Sequence, residues 1–484
     1  MSAHRIPREG REAEAILSDL EAFRKDDARW RDGKVFSLVY DAGPAHAELL
    51  KRAHNLYFSE NGLNPMAFKS LRRMEAEVVR MSATMLSGGP ETVGTMTSGG
   101  TESILLAVKA ARERAKKHAP WARSPELLVP ESAHVAFDKA AHYFGLKLRH
   151  APLTDDFTVD VAAVRGMVNR NTVLIVGSAP QYPHGVIDPI GELAAIARSH
   201  DIPLHVDACI GGFVLPWLER LGEPIPPWDF RVEGVTSISA DLHKYGYAAK
   251  GASIVVYRDM SYLKHQFFVT TDWPGGIYAS PSMPGTRPGG TIAAAWAALH
   301  GMGEDGYLRH AARTLEAKKK LIAGLEAIPG LAVLGRPQST IVSYISLDAG
   351  LDIYAVADAL EDRGWSVDRQ QRPSSIHCTL MSRHADIIDA YVAAVADAVA
   401  EVRADPSRKS RGNAAMYGMM AKIPFRGMVR KAVEKVMENM YSARDADVDL
   451  GAATSDGPVM KAINEYAPKA LELLDTLKAR LGRR

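Results

Sequence analysis

Short β-branched runs and helical stretches take turns along the middle of this chain. LLVP (127–130), TVLIVGSAP (172–180), PLHVDA (203–208), SISAD (237–241) and SIVVYRD (253–259) read as strands. VDVAAVRGMVNRN (159–171) and IGELAAIARSH (190–200) read as helices between them. Parallel strands need long crossovers, so this alternation predicts a mostly parallel sheet with helices on both faces. The pattern fills a large α/β domain over 56–300.

The flanks read differently. Residues 1–55 form a helical arm, in which EAEAILSDLEAF (12–23) places apolar residues at helical spacing. NLYFSENGLNP (55–65) is a polar linker, and LRRMEAEVVRMSATML (71–86) a strongly periodic helix. Over 301–403, the strand IVSYISLD alternates with helices YAVADALEDRG and ADIIDAYVAAVADAVAEV, the pattern of a small α+β domain. ADPSRKSRGN then leads into a helical extension, 404–484, where AAMYGMMAKI and MVRKAVEKVMENMYS are amphipathic. A chain of 484 residues is long enough for these several units.

Charge and composition exclude some functions. With 59 basic and 57 acidic side chains the net charge is +2, which gives no field to draw nucleic acid or a membrane surface. The two cysteines, Cys209 and Cys378, make no CxxC pair and no metal cluster, so no metal site is expected and a reducing, cytoplasmic setting is. The first thirty residues are heavily charged and hold no secretory h-region. No apolar run approaches the roughly 18 residues of a membrane span.

Four segments carry chemistry. In SISADLHKYGYAAKGASIVVY (237–257), Lys244 follows a strand end, and His243 and Lys250 supply a positive surround that favours its neutral, nucleophilic form. In PLHVDACIGGF (203–213), Asp207 ends a strand, where parallel sheets place ligands; it is either a helix cap or a buried carboxylate that pairs with a cationic ring nitrogen. In GTMTSGGTESILLAVKAARERA (94–115), Ser98, Gly99, Gly100 and Thr101 open a helix with Glu102 in its first turn, either a simple cap or an anion cradle. In VPESAHVAFDKAAHYFG (129–145), His134 sits between strand and helix, to cap the helix or to stack on an aromatic cofactor. Tyr182 and His184 lie in another loop after a strand, and TDWPGGIYASPSMPGTRPGG (271–290) is a long Gly/Pro-rich loop. An anion-binding helix start, a His, an Asp and a Lys, in that order at strand ends of one sheet, point to pyridoxal 5'-phosphate.

Those residues resemble fold-type I enzymes that use pyridoxal phosphate, in the group II decarboxylase branch. TSGGTES (97–103), SAH (132–134), HVDACIGGF (205–213) and SADLHKYGYAAKG (239–251) carry the likeness. FFVTTDWPGGIYASPSMPGTRPGG (267–290) and AAMYGMM (414–420) are similar to the sphingosine-1-phosphate lyases within that branch. The resemblance implies that Lys244 carries the cofactor as a Schiff base, Asp207 pairs with the pyridinium nitrogen and His134 stacks on the ring. It implies that Gly100, Thr101 and His243 hold the cofactor phosphate, with Thr286 reaching in from the second subunit of a homodimer with shared sites. Tyr40, Tyr182 and Lys250 would face the substrate in acid/base or phosphate-binding roles.

The implied reaction is retro-aldol cleavage of a phosphorylated long-chain amino alcohol to a long-chain aldehyde and phosphoethanolamine. The chain departs from the pattern at Leu63-Asn64-Pro65-Met66, where lyases read LHPD: Asn64 stands in place of a substrate-binding or titrating His. The membrane anchor of the eukaryotic lyases is likewise not expected in this chain. An amino-acid decarboxylase would use the same cofactor residues, and a cofactor-free scaffold would not need Lys244, Asp207 and His134 together.

Overall fold

The computed structural model describes residues 6–442, apart from Arg411, 415–416 and 419–425. Most of AAMYGMM and all of 443–484 lie outside the described residues. The arm holds helix α1 (Ala13–Phe23), which buries none of its side chains, and α2 (Pro44–Leu56). Helix α2 extends through Leu56, so the linker starts two residues later than its composition suggests, and α3 (Lys69–Met85) follows it.

The large domain then runs β1 (Val93–Thr97), α4 (Gly100–His118), β2 (Glu126–Pro130), α5 (Ala136–Phe144), β3 (Lys147–Ala151), α6 (Val161–Met167) and β4 (Thr172–Ser178). It continues through α7 (Ile190–Ser199), β5 (Leu204–Asp207), α8 (Leu215–Arg220), β6 (Val235–Ala240), β7 (Ser253–Tyr257) and α9 (Met260–Leu263). The seven strands form one sheet in the order β1-β7-β6-β5-β4-β2-β3. Strands β3, β2, β4, β5 and β6 are mutually parallel, and β7 runs antiparallel to both its neighbours.

Strands β2, β4, β5, β6 and β7 are buried along their whole length, as expected when helices cover both faces. Each fully buried Leu, Ile or Val there contributes about 1.5–3 kcal/mol of transfer free energy. Helix α6 starts where the Asp160 carboxylate accepts from the Ala163 amide, and α5 ends at Gly145 in the left-handed conformation.

A two-stranded hairpin, β8 (Phe268–Thr270) and β9 (Tyr278–Ser280), comes next. Helix α10 (Gly289–Glu326) then runs 38 residues with a kink at Gly303, whose φ is 57°. Residue 300, where the sequence pattern changes, lies inside this helix. The small domain adds β10 (Leu331–Val333), β11 (Ile341–Ser346), α11 (Ile353–Asp362), β12 (Asp368–Gln371), β13 (Ser374–Thr379) and α12 (Ile388–Ala404). Its four-stranded antiparallel sheet, β10-β11-β13-β12, has its own core, to which α10 contributes Leu321 and Leu325. The last described element is α13 (Arg426–Ser442).

Candidate active site

Strand β6 ends at Ala240, and the chain turns through Asp241 to Lys244. The Lys244 amine lies 3.0 Å from Asp241 Oδ2. The Asp241 side chain is 2% exposed and also accepts from Ser253 Oγ on β7 at 2.6 Å. Burial opposes charge on Lys244, but Asp241, with Cys209 and Asp207 behind it, outweighs burial and lifts the amine above the ordinary lysine range. Asp241 is depressed in turn: burial would raise it, and Lys244 and His243 overcome that. Lys244 is therefore an ammonium until it surrenders a proton, and Asp241 is the adjacent acceptor.

The start of α4 closes on the same turn. Its N-cap is Gly99, which has no side chain to satisfy the first helical amides. A Cβ on Gly100 would sit 2.7 Å from Cys209 Sγ and 2.9 Å from Asp241 Oδ2, so only glycine lets the helix start come this near to Lys244. His243 stands opposite Gly99, and its Nδ1 is buried with no partner. An uncapped helix start facing an unpartnered imidazole nitrogen is suited to an anion.

Asp207 ends β5, the neighbour of β6. It is 7% exposed, and its Oδ1 accepts from the Cys209 amide at 3.0 Å and Ser239 Oγ at 3.3 Å. Among the described residues no donor takes up Oδ2. His134 is exposed, and its Nδ1 accepts from the Ala136 amide at 3.1 Å at the start of α5, which leaves the proton of the neutral ring on Nε2.

A second cluster borders the Lys244 turn. Lys250 Nζ donates to the Leu38 carbonyl at 2.7 Å and lies 5.2 Å from the centre of the Tyr40 ring. Tyr40 meets Tyr245 edge-on, with ring centres 5.0 Å apart. Tyr40 and Lys250 face an open cavity of about 1140 Å³ with His46, Tyr247 and Arg383. The Tyr182 ring packs at a tilt against His377, with centres 4.4 Å apart, and its hydroxyl donates to Asp368 Oδ2 at 3.3 Å. Desolvation pushes both Tyr40 and Tyr182 well above the usual phenol range, whereas partial desolvation and the Lys244 charge hold Lys250 below the usual lysine range.

Asn64 and Thr286 stand apart from this cluster. Both are exposed, and within the chain neither hydrogen bonds to it. The Asn64 side chain accepts from the Met66 amide at 2.9 Å, closing its own turn. The two segments are zipped together: the Gly62 amide donates to the Arg287 carbonyl at 2.8 Å and the Gly289 amide to the Glu60 carbonyl at 2.9 Å. Arg287 also pairs with Glu75 of α3.

Sequence reasoning passed over Asp241 as a turn residue, and gave His205 and Ser239 no role of their own although both lie in the motifs. Their signal is periodic: His205 with Asp207, and Ser237 with Ser239, place polar side chains two apart in otherwise apolar strands. Among the described residues no group of His, Cys, Asp and Glu could hold a metal ion, and no helix is long and apolar enough to cross a membrane.

The fold and this site define a pyridoxal-phosphate enzyme of fold type I. The pyridoxal-dependent decarboxylase conserved domain matches residues 4–345. Sphingosine-1-phosphate lyase of Oryza sativa subsp. japonica is 45% identical over 433 residues, 87% of this chain and 79% of that protein. Sphingosine-1-phosphate lyase 1 of Rattus norvegicus is 43% identical over 440 residues, 90% and 77%. The solved sphingosine-1-phosphate lyase of Burkholderia pseudomallei superposes with a TM-score of 0.80 at 40% identity, over 84% of this chain and 94% of that one. Glutamate decarboxylase of Lactobacillus brevis, at TM-score 0.73 and 21% identity over 83% and 96%, shares the fold. The chain belongs to the sphingosine-1-phosphate lyase family.

Pyridoxal phosphate is the cofactor, and the residues present fit it. Lys244 offers an amine for the aldehyde. The uncapped start of α4 and the free His243 nitrogen offer donors for the phosphate. Asp207 offers a buried carboxylate with one oxygen untaken for the ring nitrogen.

Proposed function

We propose that the protein cleaves the C2–C3 bond of sphingosine-1-phosphate and related phosphorylated long-chain bases, giving a long-chain aldehyde and phosphoethanolamine. The observation that carries this reading is 40–45% identity to lyases over most of the chain, against 21% to a decarboxylase of the same fold.

When bound, pyridoxal phosphate would supply an electron sink for the pair released at C2. The protein's part divides among its own side chains. Lys244 would hold the cofactor through its amine. Asp207 Oδ2 keeps the ring nitrogen protonated. Gly100, Thr101 and His243 hold the phosphate, and His134 covers the ring.

The C3 hydroxyl must lose a proton as the bond breaks, and C2 must gain one. Lys250, with its depressed pKa, has the larger neutral fraction and is the base at C3. Tyr40, kept protonated by burial, and Tyr182, kept so by partial desolvation and the Asp368 carboxylate, are suited to donate rather than accept. Asn64 meets the substrate as a neutral hydrogen-bonding group. The active form is a homodimer in a cytoplasmic setting, with Thr286 completing the neighbouring site. The two cysteines, both buried free thiols, accord with that setting.

The test incubates purified protein with sphingosine-1-phosphate and, separately, with a panel of amino acids. Long-chain aldehyde is expected from the first and no carbon dioxide from the second. Carbon dioxide without aldehyde would move the assignment to an amino-acid decarboxylase. Absence of a visible cofactor band would favour a scaffold with a dead site.

A further inference from the structure

The strands that deliver Asp207 and Lys244 also carry polar side chains sealed inside the sheet. His205 and Ser239 are both 0% exposed. The β5–β6 register sets His205 beside Ser237 and Asp207 beside Ser239. Because side chains alternate along a strand, these four residues project from one face.

They form a continuous column. Ser237 Oγ lies 2.9 Å from His205 Nδ1, and Ser239 Oγ lies 3.2 Å from His205 Nε2. Ser239 Oγ then reaches Asp207 Oδ1 at 3.3 Å. Phe137 packs edge-on against the imidazole, with ring centres 6.0 Å apart.

The direction of each hydrogen bond follows from donor chemistry. An ionised carboxylate only accepts, so the single Ser239 hydroxyl proton goes to Asp207. Ser239 Oγ must then accept from His205, which places the imidazole proton on Nε2. Nδ1 is left to accept from Ser237. Every polar atom of the column but Asp207 Oδ2 is satisfied with His205 neutral, and burial holds it neutral by depressing its pKa to about 4.

The Asp207 carboxylate is thus tied twice through Oδ1, by the Cys209 amide and by Ser239, and among the described residues its Oδ2 has no donor. Removing the Ser239 tie frees the carboxylate to turn about its χ2 bond. We propose that His205 and Ser239 are positioning residues that fix Asp207 so that Oδ2 meets the ring nitrogen of bound pyridoxal phosphate. This rests on the reading of Asp207 as the partner of that nitrogen.

The experiment compares Ser239→Ala, Ser239→Thr, His205→Gln and Asp207→Asn. Three quantities are measured: the dissociation constant for pyridoxal phosphate, the pH midpoint of the visible band of the bound cofactor, and the melting temperature of the cofactor-free protein. Ser239→Ala is expected to weaken cofactor binding roughly tenfold, the size of one hydrogen bond to a charged group. Its band midpoint should move to higher pH, because a less firmly protonated ring withdraws fewer electrons from the Lys244 linkage. His205→Gln should shift both in the same direction by less, and Ser239→Thr, which keeps the hydroxyl, should restore both.

A folded Ser239→Ala protein with wild-type affinity and midpoint overturns the proposal. If only the melting temperature falls, the column is structural and the proposal also fails. Should Ser239→Ala not fold, Ser239→Cys, with its weaker donor, is judged by the same two readouts. Unchanged binding and midpoint in Asp207→Asn would instead sink the underlying reading of Asp207.

Discussion

Asp241 Oδ2 lies 3.0 Å from Lys244 Nζ and holds that amine charged in the cofactor-free chain. Only a neutral amine attacks an aldehyde, so the rate of cofactor loading should climb with pH. Asp241→Asn removes the charge that raises the Lys244 pKa and should move that climb to lower pH by at least about one unit. Stopped-flow absorbance of reconstitution between pH 6 and 10 measures it. Lys244→Ala should stay folded and lose both turnover and the borohydride-reducible adduct; a reducible adduct on another lysine would end the assignment of Lys244.

Asp207→Asn should keep cofactor attached to Lys244 and lose most activity. An amide does not hold the ring nitrogen protonated as a carboxylate does. The loss of that charge-assisted hydrogen bond costs on the order of 2–4 kcal/mol of barrier, about a hundredfold or more in rate. Turnover near the wild-type value in steady-state assays would rule the role out.

Asn64 tests how the chain manages without the histidine that lyases place there. Its carbonyl oxygen is occupied by the Met66 amide, so its NH2 group is what remains to meet a substrate. A histidine at this position would add a stronger partner for a phosphate. Asn64→His is expected to lower KM and leave kcat similar, the pattern of a binding interaction shared by ground and transition states. A large rise in kcat alone would show that the position is wanted for proton transfer.

Stability should fall as the medium turns mildly acidic. Burial holds His205 and His384 at about 4 and depresses His377 as well. The unfolded chain takes up these protons near pH 6.5, while the folded chain does not. The stabilisation is full above that pH and drains away as pH falls toward 4, at up to about 1.4 kcal/mol per unit for each histidine. Burial raises Asp188 to about 6, so its folded carboxyl gains a proton first and offsets one of the three. For these three histidines and Asp188 the net loss is up to about 3 kcal/mol per pH unit, and His184 and His265, also held at about 4 by burial, add to it. Urea unfolding between pH 7.5 and 5 reads it, and a flat profile would contradict it.

The central strands were legible because burial on both faces leaves continuous apolar runs such as TVLIVGS. Strand β3 was not: KLRHA lies at the sheet edge, where Lys147 and His150 are exposed and, with the half-buried Arg149, erase the apolar signal. Strand β1 was hidden because Gly94 and two threonines dilute VGTMT, and the glycines beyond it read as the opening of a helix. Lys244 and Asp207 stand out in the sequence because each follows an apolar run, and they do end up beyond adjacent strands. Asp241 escaped notice because an acidic residue in a turn is commonplace. Only the sheet register shows that Ser253 and Lys244 converge on it. The pairing of the Asn64 and Thr286 segments joins residues more than two hundred positions apart, which no local pattern reports.

Helix α10 begins against the first core, passes its kink at Gly303 and ends inside the second. No loop separates the two sheets at that crossing, and a cut there would strand half of a helix on each side. The two cores therefore share a spine. Melting either should fray the other, and one heat-capacity peak rather than two is what such a spine imposes on calorimetry.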